Sequence, residues 1–283
     1  CFAFLTVTLG SRWLRLFKLA PLALSEQAAF GLPLGLGVFA YALFGLGSAG
    51  LVSAWVVLLL IGVTIAFSWR ECASVASNLA GFVHKFPERL RAAPSWHVGV
   101  FVLLSLIAGL NLIGALAPPT MMDGLRYLGG VREYIGRGRI EFIPVFWWNY
   151  PGLYETLFTG ALLLRLEAMP ALLHWMACVA STVTLFQIGR QFYSTSAGIV
   201  AALAYYTMPI AIDRSTAPKS ELALAMFGIV SVYAIILWLQ RENSSWLWVS
   251  AIMAGLQAST KLQGLGPMVA SCGAALVAVI VIK

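Results

Sequence analysis

From Val98 to Met122 the chain runs for 25 residues without a charged side chain, and apolar runs of this kind recur along its length. A helix must be about 20 residues long to cross roughly 30 Å of hydrocarbon, and a helix satisfies all of its backbone hydrogen bonds internally there. Of the 283 residues, 60% are hydrophobic and only 10% are charged, far outside the range of soluble domains. The expectation is an all-α polytopic membrane protein. Spans are expected near 28–46, 51–69, 98–117, 171–189, 195–212, 222–240, 246–260 and 262–282, with the tail of another at 1–9. The chain starts at Cys1 rather than Met and closes in an apolar run at Lys283, so it reads as a piece of a longer protein. Its first residues lack a basic leader and a small-residue cleavage site, and they read as a truncated span rather than a signal peptide.

The net charge is +7, but the basic residues sit at span ends, where membrane proteins keep them, and nucleic acid is discarded as a partner. Cys1, Cys72, Cys178 and Cys272 are scattered without a Cys-x-x-Cys pair, so neither a metal centre nor a disulfide framework is expected of them. The three histidines, His84, His97 and His174, show no ligand spacing and are read as structural.

Loops 10–27 and 70–97 carry Arg12, Arg15, Lys18, Arg70, Lys85, Arg89 and Arg91 against Glu26, Glu71 and Glu88. The positive-inside rule places both in the cytoplasm. The crossing at 98–117 then delivers "LAPPTMMDGLRYLGGVREYIGRGRIEF" (116–142) to the outer side. Segment 152–164 holds Glu155 and is too short to span at 1.5 Å per residue. It is read as a helix lying on, or dipping into, the outer face. With that choice Arg190 and Arg241 fall inside, while Asp213, Arg214, Lys219, Glu221 and Lys261 come outside with Asp123.

An ionised carboxylate at a span end is costly unless it faces water, a partner or a ligand. Asp123 and Glu221 are two such groups on one inferred face. They can serve as base and positioning group, or as ligands of a divalent ion. Arg126, Arg132, Arg137 and Arg139 crowd the same stretch, and Lys219 and Lys261 join from other loops. As a set they suit an anionic phosphate, although each arginine taken singly is more readily explained by pairing with Glu133 or Glu141 or by lipid headgroups. In "FWWNYPGLYE" the aromatics Trp147, Trp148 and Tyr150 read first as interface anchors, with Asn149 and Glu155 as polar candidates beside them. "LQASTKLQGLG" sets Lys261 among Ser259, Thr260 and glycines whose backbone donors can approach a phosphate.

These pieces, in the order "PPTMMDGLRYLGGVREYIGRGRIEFIP", "NYPGLYETLFTGALLL", "LLHWMACVASTVTLFQIGRQFY", "SELALAMFGIV" and "AGLQASTKLQGLG", resemble the N-terminal membrane half of GT-C-type glycosyltransferases. The branch is the one similar to the protein O-mannosyltransferases and the lipid A aminoarabinose transferase, glycosyltransferase family 39-like. The resemblance covers roughly residues 98–283 and leaves 1–97 as N-terminal helices with basic cytoplasmic loops.

It implies a GT-C-like transmembrane helix bundle with a large outer loop carrying juxtamembrane helices. It also implies a lipid-phosphate-sugar-dependent glycosyltransferase in the plasma (inner) membrane with its site on the outer, periplasmic side. The donor would be a polyprenyl-phosphate sugar, and the acceptor a glycan, lipid or protein. Asp123 falls on the family's first acidic site and Glu221 on its second. Thr260 and Lys261 match its lysine contact to the lipid phosphate, and Asn149, Tyr150 and Glu155 lie in or next to its proline-bearing juxtamembrane element. Substrate contacts are also expected from Arg126, Arg132, Arg137, Arg139 and Lys219. No cofactor is fixed by the resemblance; a divalent cation, if used, would draw on Asp123 and Glu221.

The chain departs from the family pattern in three places. Gly124 stands where a second acid often follows the first, Glu221 stands where aspartate is usual, and His174 stands near the start of a span that often bears arginine. The rival function is a transporter or flippase for a lipid-linked or anionic solute. Against it, the span centres are almost free of charge, and no inverted repeat or pair of interrupted helices is visible. A purely structural membrane subunit is the third reading, and it leaves the loop charges unexplained.

Overall fold

The computed structural model describes residues 2–19, 24–119 and 122–282, without the side chains of 122–125, 278 and 280–282. Among the described residues there is no strand; the protein is an all-α polytopic membrane protein. In chain order the helices are α1 (Phe2–Leu16), α2 (Leu24–Glu26), α3 (Leu32–Ser48), α4 (Ala54–Phe67), α5 (Trp69–Ala92), α6 (Ser95–Leu116) and α7 (Met122–Arg137). They continue with α8 (Leu153–Leu163), α9 (Met169–Phe192), α10 (Thr195–Tyr206), α11 (Pro209–Ser215), α12 (Glu221–Arg241), α13 (Ser245–Thr260) and α14 (Leu265–Ile282).

Among the described residues four stretches are long and apolar enough to cross a membrane alone: Leu24–Ser48, where a π-turn joins α2 to α3, together with α6, α9 and α12. Two further candidates are bent. The apolar α4 breaks by 73° into the charged α5, and α10 breaks by 64° into α11, where Pro209 opens the new helix.

These bends correct two expectations. The basic segment 70–97 is for the most part a helix rather than a loop, because its hydrophobic residues recur at helical spacing between the charges. The span at 195–212 is broken, because proline at 209 removes a backbone donor and clashes with the preceding turn. Arg12 and Arg15, placed in a loop by the sequence reading, lie on α1.

Helices α3, α8, α9, α12 and α13 pack around one core that includes Phe30, Tyr154, Phe158, Phe227, Tyr233 and Trp246. Helix α1 lies close against α3 because both present small residues. A methyl group added at Gly10 would stand 1.9 Å from the Gly31 carbonyl oxygen, and one at Gly35 would stand 1.8 Å from that of Thr6. Gly31 and Gly35 form a Gly-x-x-x-Gly pair, the spacing that lets two membrane helices approach backbone to backbone. Helices α4 and α6 leave large apolar side chains such as Leu59, Leu110 and Ile113 exposed, as lipid-facing surfaces do.

Segment 152–164 forms the eleven-residue α8, and nine of its residues are buried. It is packed into the bundle against α3, α7, α9 and α13. The span read at 246–260 is the sixteen-residue α13, followed by a short 3₁₀ turn, Leu262–Gly264.

His174, fully buried near the start of α9, fixes the entry to α12. Its Nδ1 lies 2.7 Å from the Arg214 carbonyl oxygen and 3.0 Å from that of Ala217, and its Nε2 accepts from the Leu222 amide at 2.9 Å. Only a neutral ring protonated at Nδ1 satisfies all three contacts. The imidazole thereby caps one of the orphan amides at the helix start. Replacing His174 with alanine leaves a buried amide and two carbonyls without that partner. The expected cost is about 3 kcal/mol, seen as a lower unfolding temperature in detergent.

Candidate active site

The N-terminus of α12 and the C-terminus of α13 meet at one end of the bundle, directly against α7. Lys261 follows the last residue of α13 and turns its ammonium to Glu221, the first residue of α12, at 2.6 Å from Oε1. The same ammonium donates to the Tyr127 hydroxyl of α7 at 2.8 Å, and that hydroxyl donates to Glu221 Oε1 at 3.1 Å. Three helices separated by up to 134 residues of sequence are thus closed into one triangle of polar atoms.

The other carboxylate oxygen of Glu221 is buried and has no hydrogen-bond partner among the described residues. Such an atom is expensive to leave unpaired. Lys261 is partly desolvated, which weakens its charge, but hydrogen bonds from its ammonium to Glu221 and Tyr127 outweigh this and hold its pKa above the usual lysine range. Burial raises that of the Tyr127 hydroxyl.

Asp123 lies in the first turn of α7, one helical turn before Tyr127 and on the same face of that helix. Its side chain lies outside the described residues. Sequence reasoning passed over Tyr127, although its position four residues after Asp123 was a usable signal. Tyr134 continues the same face, with its hydroxyl on the Trp148 carbonyl oxygen at 3.2 Å.

Glu155, in the first turn of α8, lies in the electrostatic reach of Lys261, Glu221 and Arg126. Its carboxyl is tucked beside Gly152, where a Cβ would stand 3.2 Å from Oε2. Burial pushes its pKa up to about 8, so near neutral pH it is largely a hydrogen-bond donor. An acid with a raised folded-state pKa loses stability as the unfolded chain ionises and the folded one does not, here from about pH 4.5 to about pH 8. The wild-type unfolding temperature should therefore fall through that window, and Glu155→Gln should flatten the fall. Thermal unfolding in detergent at several pH values checks this.

The loop 138–152 is closed on itself by Asn149. Its amide oxygen accepts from the Ile143 amide at 3.1 Å, and its nitrogen donates to the carbonyl oxygens of Ile143 and Val145. Trp148 donates to the Arg126 carbonyl at 2.9 Å and packs its indole over Gly129 and Gly130. Larger residues there would collide with the ring. Arg126 lies 4.9 Å from the Trp147 ring centre, held over the loop and beside Glu155. Tyr150 packs edge-on against Phe146.

The structure divides the expected phosphate cations. Lys261 and Arg126 belong to the cluster. Arg137 bridges Glu133 and Glu141 at 3.4 and 3.3 Å, Arg132 pairs with Glu167 at 3.9 Å, and the Arg139 Nε donates to the Ser48 carbonyl oxygen. Lys219 is only 1% exposed, in the segment just before α12 that His174 braces. Among the described residues no three His, Cys, Asp or Glu side chains are grouped to hold a metal ion.

The opposite end of α12, about 30 Å away at 1.5 Å per residue, carries Arg241, which pairs with Glu26.

Residues 160–281 match the family model described as dolichyl-phosphate-mannose-protein mannosyltransferase. No curated protein and no solved structure matches. The family match supports a membrane glycosyltransferase of the GT-C type, similar to the mannosyltransferases. It takes in α9 to α13 with Glu221 and Lys261 and all but the last residue of α14, covers under half of the chain, and begins after α7 and Glu155.

Proposed function

We propose that this protein transfers a sugar, with inversion, from a polyprenyl-phosphate-linked donor to an acceptor on the outer face of the plasma membrane. The observation that carries this reading is the Tyr127–Glu221–Lys261 triangle at the bundle end, one helical turn from Asp123. A donor dissolved in the bilayer brings its phosphate to the level of span ends, which is where these groups lie.

In a single displacement the acceptor oxygen attacks the anomeric carbon as the bond from that carbon to the phosphate oxygen breaks. Asp123 takes the acceptor proton as general base, and the electron pair leaves on the phosphate. Lys261 and Arg126 face that growing charge. Glu221 fixes the Lys261 ammonium through one oxygen and offers the other, unpaired among the described residues, to a hydroxyl of the acceptor or sugar. Glu155, neutral, donates to a sugar or phosphate oxygen. Arg132, Arg137 and Arg139, engaged with other groups, would steer the anionic donor rather than bind it. A hydroxyl-bearing glycan, lipid or protein is the acceptor class this chemistry takes.

The test is donor turnover by the full-length protein in vesicles containing polyprenyl-phosphate mannose. Release of polyprenyl phosphate with an acceptor product of inverted anomeric configuration is the expected result. Movement of intact donor across the bilayer without turnover would instead establish the flippase reading.

A further inference from the structure

Helix α5 serves neither the site nor the core. Its residues Val75, Leu79, Phe82, Phe86 and Leu90 recur at spacings of three and four and so form one ridge, which Cys72 and Val83 widen. The polar side carries Arg70, His84, Lys85, Glu88, Arg89 and Arg91. The ridge is packed at Val75, which is buried against the rest of the protein, and at Phe86, whose ring lies 5.5 Å from that of Phe101 on α6, while between them Leu79, Phe82 and Val83 are 47%, 40% and 61% exposed. The helix leaves the apolar α4 at 73°, and after it the chain turns into the apolar span α6. A turn of 73° carries α5 off the line of the apolar α4, the course of a helix that lies along a membrane surface. Trp69 at its start and Trp96 just past its end, both exposed, are the side chains that favour the headgroup level.

The orientation of α5 is fixed by a clasp to α1. Glu71, 1% exposed, sits between Arg12 at 3.5 Å and Arg15 at 3.4 Å, and Arg12 lies over the Phe67 ring. With Glu71 so neutralised, the outer part of α5 is left cationic, Lys85, Arg89 and Arg91 standing against Glu88. Arg89 lies 5.8 Å from the Phe82 ring centre, on the rim of the ridge.

We propose that α5 is an interfacial helix that sinks its apolar ridge among acyl chains and binds anionic lipid headgroups through Lys85, Arg89 and Arg91. Charge complementarity selects this occupant. A ridge of large apolar residues rimmed by cations fits an anionic leaflet. The helix thereby ties α1 and α4 to the leaflet at the end of the bundle that carries Arg241 and Glu26, away from the Glu221 cluster.

The test uses the full chain with its native cysteines replaced, reconstituted in phosphatidylcholine vesicles with and without phosphatidylglycerol. Nitroxide labels are placed singly through Leu79→Cys, Val83→Cys, Ser77→Cys and Asn78→Cys. Labels at 79 and 83 are expected to collide several-fold more with oxygen than with a water-soluble nickel chelate, and labels at 77 and 78 the reverse. Ready access of the chelate to 79 and 83 would place the ridge in water, and access of neither quencher would place it under protein such as a second copy; either result overturns the proposal. Separately, Lys85→Gln, Arg89→Gln and Arg91→Gln should each weaken retention of phosphatidylglycerol on the purified protein, by about fivefold per charge. Unchanged retention in the triple variant would overturn headgroup binding.

Discussion

Asp123→Asn is expected to lower sugar transfer by about 10²- to 10⁴-fold, the range lost with a general base, while the protein still inserts and still binds donor. The effect should fall on kcat, because an asparagine keeps the size of the side chain but cannot take a proton from the acceptor. Asp123→Glu, which restores the carboxylate on a longer arm, should recover part of the rate. The position of Asp123 in the first turn of α7, a turn from the Tyr127 hydroxyl that touches Glu221 and Lys261, is what makes the loss specific. Transfer rates in vesicles, compared with donor affinity measured on the same preparations, separate a failed base from a failed site. An Asp123→Asn protein with full activity would remove Asp123 from the mechanism.

Lys261→Met should cost about 10²- to 10³-fold in kcat, the amount lost when one preorganised contact to a developing anion is removed. Lys261→Arg should retain more, since it keeps the charge though not the compact ammonium geometry. Lys261 is held by Glu221 at 2.6 Å and by Tyr127 at 2.8 Å, so its partners act through its position. Glu221→Gln alone should lower activity, and the double variant Lys261→Met with Glu221→Gln should lose less than the product of the two single losses. Strictly multiplicative losses in that cycle would mean the two groups work independently.

The long spans were legible because an uncharged run of about 20 residues has few other stable outcomes. The meeting of Glu221 with Lys261 was legible as a shared face, since it follows from counting crossings. The identity of the hub was not. Tyr127 carries no charge and stands in a segment whose arginines drew the eye, and only the closing of α7 onto α12 and α13 gives its hydroxyl two ionic neighbours. Arg137 shows the reverse case. Its charge suits a phosphate, yet Glu133 and Glu141 engage it, the local pairing at a spacing of four that the sequence already offered for any one of these arginines. Segment 70–97 reads as a loop from its basic charges, yet the ridge from Val75 to Leu90 carries the helical period of the helix that fills most of it. His174 looked like a structural histidine and is one, but its role as the cap of α12 depends on a turn at Arg214–Ala217 that no local pattern announces.

The most direct measurement of the central claim, a single outward-facing site assembled from these loops, is labelling of intact cells with a membrane-impermeant thiol reagent. Single cysteines replace Glu133, Asp213 and Gln263, which lie near the cluster in sequence without entering it, and Arg91 and Glu242 at the other end of the bundle. Labelling of positions 133, 213 and 263 in intact cells, with 91 and 242 reached only after permeabilisation, is the predicted result. Positions 133 and 263 reporting opposite faces, or both protected until the membrane is opened, would contradict a transferase site on the outer side.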